Sequence, residues 1–115
     1  MNEQIYQALL EIARRRELTT YSDIAPLAGL NMDIDTDRDA MSDILEAIAR
    51  HEETEGRPML TAVVIHRGSD NNPGEGFYAI ATELQRYGGS RHQLRRLEFW
   101  VSQVAQVHDH WSRGN

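Results

Sequence analysis

The side chains of this 115-residue chain that could do chemistry fall into a few groups, and His66 heads the first. The stretch AVVIHRGSDNNPGEGFY, residues 62–78, carries an apolar run into His66 and Arg67 and then into a turn. Histidine is the side chain that moves protons most readily near neutral pH, and Ser69 and Asp70 follow it closely. In a tight turn, however, Ser, Asp, Asn and Gly serve as turn formers. No serine sits in a Gly-x-Ser-x-Gly elbow, and PGEG lacks the Gly-Lys-Ser/Thr of a phosphate-cradling loop. A hydrolase using His66 is therefore the weakest functional reading, and no catalytic residue is assigned.

Metal chemistry fares no better. DIDTDRD, residues 33–39, sets carboxylates at alternate positions like an EF-hand loop, but the glycine and glutamate such a loop needs are replaced by Arg38 and Ile44. HEETE, residues 51–55, begins as a zinc-helix motif and ends on Glu55 where a second histidine is required. His108 and His110 lie about 200° apart around a helix and do not converge on one ion. His92 has no partner in view, and cysteine is absent, which removes disulfides and thiolate chemistry together. Neither a metal nor a cofactor is expected.

The elements that would position these groups are legible from period and punctuation. Ile5, Leu9, Ile12 and Ala13 share a face of a first helix over residues 3–16. Thr20 with Asp23 is a capping-box pattern opening a second, short helix that Pro26 bends and Gly29 stops. Thr36 with Asp39 repeats the pattern for a third helix, which carries Met41, Ile44, Leu45 and Ile48 to Gly56. MLTAVVIH reads as the best strand, residues 69–76 as a turn, and the segment from about Tyr78 to Gly88 as helix rather than strand, with Phe77 and Tyr78 as core or groove aromatics. Ser90 with Gln93 caps the last helix, where Leu94, Leu97, Val101, Val104, His108 and Trp111 form a heptad seam widened by Trp100 and Val107. Residues 1–89 thus make a core with a wing at about 66–77, and residues 90–112 an amphipathic C-terminal helix. The order helix, short strand, helix, helix, strand, turn predicts one α+β domain, mainly helical and winged-helix-like, with a β-hairpin wing.

Two stretches carry a family likeness. TTYSDIAPLAG resembles the Tyr-Gly-x-Ile-Ala segment in the winged-helix domain of O6-alkylguanine-DNA alkyltransferases, and VIHRGSDNNPGEGFY resembles their Pro-Cys-His-Arg segment with its following turn. The resemblance implies that Tyr21 matches the DNA-facing tyrosine, Arg38 the helix-borne arginine finger, and His66–Arg67 the conserved pair. Ile65 stands at the cysteine position, Val64 replaces the proline and Ser22 the glycine after the tyrosine, so alkyl transfer is excluded. What remains is nucleic-acid binding of the alkyltransferase-like kind, without transfer.

Charge weighs against that role. The net charge is −6, and all twelve basic residues are arginine. From Asp23 to Glu55 ten acids face only Arg38 and Arg50, whereas from Leu84 onward five arginines face Glu98 and Asp109. DNA affinity comes largely from neutralising phosphates, so an acidic third helix in a groove repels its ligand. Contacts with nucleic acid would fall to Arg67 or to arginines of the C-terminal stretch such as Arg91 and Arg95. The leading expectation is a non-catalytic protein-interaction or regulatory module, whose partner is another protein or a second copy of itself. Leu97, Val101, Val104 and Trp111 are the self-association candidates. With no apolar run near the ~20 residues of a membrane helix, no leader pattern and no cysteine, a cytoplasmic location is expected.

Overall fold

Helix α1 (Glu3–Arg14) opens on Asn2, whose side chain accepts the Ile5 amide at 2.9 Å, and closes on arginine, so both ends suit the helix dipole. The computed structural model describes residues 1–68 and 72–113, and these form a mainly helical α+β domain with one two-stranded parallel sheet. Strand β1 (Thr19–Thr20) leads into α2 (Tyr21–Ile24), and Thr20 accepts the Asp23 amide at 3.1 Å as the capping box predicts. Pro26 tightens the continuation into a 3-10 turn, Ala25–Ala28.

Helix α3 (Asp35–Thr54) starts earlier than its expected cap: Ile34 holds the N-cap and Thr36 lies inside the first turn. Asp37 reaches back instead to accept the Asn31 amide at 2.9 Å, and Asp35 beside it places further negative charge at the positive helix end. The helix closes at Gly56, whose φ of +70° turns the chain so that Arg57 folds back onto the helix it has just left.

The strand expected over MLTAVVIH is mostly not a strand. Leu60–Val63 winds into a 3-10 turn, and only β2 (Val64–Ile65) pairs, in parallel with β1, Thr19 opposite Val64 and Thr20 opposite Ile65. The cause is burial without neighbouring strands: Leu60, Ala62, Val63 and Val64 are wholly inaccessible, yet the sheet offers their backbone a single partner. The last helix, α5 (Gln93–Ser112), supplies partners instead. Gln103 Oε1 accepts the Met59 amide at 3.1 Å, and Trp100 Nε1 donates to the Ala62 carbonyl at 2.8 Å. Short apolar runs look alike whether they become strands or a central plug.

The β-hairpin wing is likewise not formed by the described residues. Ser69, Asp70 and Asn71 of the turn lie outside them, and beyond it the chain enters helix α4 (Glu75–Glu83) with no strand returning to pair with β2. The helix expected from Tyr78 begins at Glu75 and ends before Gln85, which takes a positive φ. Helix α5 is capped by His92 and not by Ser90 with Gln93: His92 Nδ1 accepts the Leu94 amide at 3.3 Å, while Ser90 Oγ accepts the His92 amide at 3.1 Å.

Two apolar clusters meet on the central plug. One joins Ile5, Leu9 and Ala13 of α1 to Met41 and Ile48 of α3 and Val107 of α5; the other joins Phe77, Tyr78 and Ile80 of α4 to Met59 and Ala62, with Phe99, Trp100 and Val104 packed on it. No helix of the described residues is long and apolar enough to cross a membrane.

Candidate functional site on the last helix

The predicted site residues separate into groups. Tyr21, His66 and Arg67 come together where α2 meets the end of β2. The Tyr21 and His66 rings stack with centroids 4.3 Å apart, and Arg67 pairs with Asp23 at 3.4 Å. The His66 amide donates to the Asn72 carbonyl at 2.8 Å, and Gly74, at a φ of +87°, passes so close that a Cβ there would lie 2.5 Å from His66 Nε2. The Tyr21 hydroxyl donates to the Pro73 carbonyl, and burial pushes its phenol up to about 12. The Tyr21 hydroxyl and the His66 amide are thus spent on the loop that follows β2 and the Arg67 guanidinium on α2, while the Ser69 and Asp70 that accompany His66 in sequence lie outside the described residues.

Arg38 is not part of that cluster. Its guanidinium donates to the Met32 carbonyl at 2.7 Å and pairs with Asp35, so it ties the preceding loop to the start of α3. The acids of α3 also divide. Glu52, one of the ten acids counted from Asp23 to Glu55, is 0 % exposed. Arg57 Nη2 holds it at 2.7 Å and the Tyr6 hydroxyl donates to it at 3.2 Å. Beside them His51 packs edge-on against the Tyr6 ring, and the Arg57 guanidinium lies 5.4 Å over Trp111. Among the described residues no group of three or more histidines and carboxylates forms a metal-holding cluster.

Helix α5 behaves differently along its length. The face it buries is centred on Gln103 and Val107, whereas the predicted seam lies on its flank. The lower seam is covered in part: Val104 packs on the α4 cluster and Trp111 on the α1 cluster. His108 Nε2 donates to the Glu17 carbonyl at 2.9 Å. The upper seam is not covered, with Leu94, Leu97 and Val101 exposed at 56 %, 50 % and 52 %. Next to them Arg91 and Arg95 are exposed and enter no ion pair among the described residues, in contrast to Arg96, which grips Glu75 at 2.7 and 3.0 Å and lies 4.7 Å over the Tyr78 ring.

Helix α5 is anchored near both ends. Tyr78 donates to the Arg96 carbonyl at 3.2 Å, Tyr87 to the Ser90 carbonyl at 2.6 Å, and at the far end Arg16 pairs with Asp109 at 2.7 Å. The arrangement offers an exposed apolar ridge flanked by Arg91, Arg95 and Glu98. Such a surface can bind an amphipathic partner. Gln103 and Trp100, which anchor the helix, went unread as hydrogen-bonding residues. The available signal was a glutamine standing one helical turn from Trp100 and from Val107 on an otherwise apolar face. No family model, no curated protein and no solved structure matches this chain.

Proposed function

We propose that the protein is a non-catalytic interaction module that docks a short, acidic, amphipathic helical segment of another protein on the upper flank of α5. The observation that carries this reading is the exposed ridge Leu94–Leu97–Val101 beside Arg91 and Arg95, which enter no ion pair among the described residues. Aliphatic side chains at helical spacing favour a partner helix with i, i+3, i+4 anchors. Arg91 and Arg95 outnumber Glu98 on this flank and favour carboxylates on that partner, since complementary charge sets specificity and encounter rate. The ridge offers roughly 250–300 Å² of apolar surface, about a third of the ~800 Å² per partner in a standard interface. That size suits a short segment bound at micromolar strength better than a stable pair of copies.

Selection from a display library of random helical peptides on the full chain tests this. The reading expects selected peptides to combine apolar residues at helical spacing with Asp or Glu, and to lose about tenfold or more in affinity on Val101→Asp. Peptides without acidic enrichment, or peptides that bind Val101→Asp as well as the parent, overturn it. So does a dimer in sedimentation equilibrium that Val101→Asp dissolves, because the ridge would then belong to a second copy. The alkyltransferase-like alternative makes a separate demand: tight, steeply salt-dependent duplex binding lost on Arg67→Ala.

A further inference from the structure

We infer that a pocket between α3 and α4, away from the α5 flank, is a binding site for a small organic cation with an apolar body. Its volume is about 190 Å³, below the ~300 Å³ at which drug-sized sites begin, which suits a ligand of about ten non-hydrogen atoms. The walls are apolar, from Leu45 of α3, Phe77 and Ile80 of α4, and Tyr21. The rim carries Asp43, Glu46 and Glu83. Arg50 bridges Glu46 and Glu83, while Asp43 has no ion-pair partner among the described residues. The mouth therefore keeps an excess of negative charge that repels anions and favours cations over neutral molecules.

Acids at a rim are common on surfaces, and the second observation is at the floor. Thr61 is 6 % exposed and lines the pocket, yet its hydroxyl makes no hydrogen bond to any described residue. It is not sealed off either, since the one buried side-chain polar atom without a partner among the described residues is Trp111 Nε1. A buried hydroxyl with no protein partner is costly unless water or a ligand satisfies it. The buried Thr61 side chain lines the same pocket as the exposed acids and brings to it a hydroxyl without a protein partner among the described residues. A cationic head at Asp43, an apolar body between Leu45 and Ile80, and the Thr61 hydroxyl together define the ligand class. Asp35 and Asp39, also on α3, do not line this pocket.

The probes are benzylamine, benzyl alcohol and benzoate, matched in shape and differing in charge, titrated into the full chain and followed by amide chemical shifts. Benzylamine should bind at least about tenfold more tightly than benzyl alcohol, with shifts centred on Thr61, Ile80 and Asp43, and benzoate should leave them unmoved. Asp43→Asn, at an exposed position, should weaken benzylamine about fivefold and leave benzyl alcohol unchanged. Thr61→Ser should retain binding. Equal binding of the three probes, shifts centred elsewhere on the acidic surface, or an Asp43→Asn protein that binds benzylamine unchanged would each overturn the site. Because Val101→Asp lies outside the pocket, it should not alter these titrations, and the two proposals fail independently.

Discussion

Tyr21 shows how much a single side chain reports. Its phenol is pushed to about 12 by burial, against about 10 when unperturbed. The folded state thus holds that proton more tightly than the unfolded state. Its contribution to stability is complete below about pH 10 and is lost as pH climbs from about 10 to about 12. Ultraviolet titration of the four tyrosines should show a late step near 12 that Tyr21→Phe removes; four steps near 10 would contradict the burial. Arg57 makes a stronger demand. It holds the fully buried Glu52 at 2.7 Å, so Arg57→Ala strands a carboxylate and should cost about 3 kcal/mol in chemical denaturation. Little of this was readable beforehand. HEETE looks like an exposed helix end, and only the turn at Gly56 reveals that Arg57 returns to cover Glu52. The meeting of Tyr21 with His66 was suggested by a family resemblance and not by spacing, because residues so distant in sequence are brought together by tertiary contacts such as the parallel pairing of β1 with β2.

At the scale of elements, α5 separates what period can tell from what it cannot. Its hydrophobic repeat fixes a helix correctly but not which side faces inward, because the buried face is defined by Gln103 and Val107 and the seam runs along its flank. The consequence is measurable. Val101→Asp should leave stability within about 0.5 kcal/mol of the parent, as surface changes do. Val104→Asp should destabilise by roughly 2 kcal/mol or more, because Val104 packs on the α4 cluster. Equal melting temperatures for the two variants would show that the flank is misplaced. Gln103→Leu should cost about 1–3 kcal/mol by orphaning the Met59 amide at the buried plug. The same plug explains the misread strand. Its β-branched, apolar residues have strand preferences, and the missing neighbours that would have made a sheet are a tertiary fact. Caps fared by chemistry: Thr20 with Asp23 held, while Thr36 and Ser90 lost their places to Ile34 and His92.

At the scale of the molecule, helix α5 is about 30 Å long by its twenty residues, nearly the length of a body measuring 35 × 31 × 27 Å, so its flank forms one continuous edge of the protein. Charge is distributed to match. Most arginines are already paired within the chain, including Arg38 with Asp35 and Arg67 with Asp23, and the excess acids lie toward α3. Duplex DNA should therefore bind no tighter than about 100 μM at physiological salt in fluorescence anisotropy, and sub-micromolar binding would reverse the charge argument. The broad α+β, mainly helical class was legible from period and punctuation, whereas the parallel pairing and the absence of a hairpin among the described residues depended on contacts between distant segments. The most direct test of the central claim is an amide chemical-shift map of the full chain titrated with a selected acidic helical peptide. The account predicts shifts confined to residues 91–105 and abolished by Val101→Asp. Shifts centred on Tyr21 and His66 instead, or a map unchanged by that substitution, would contradict it.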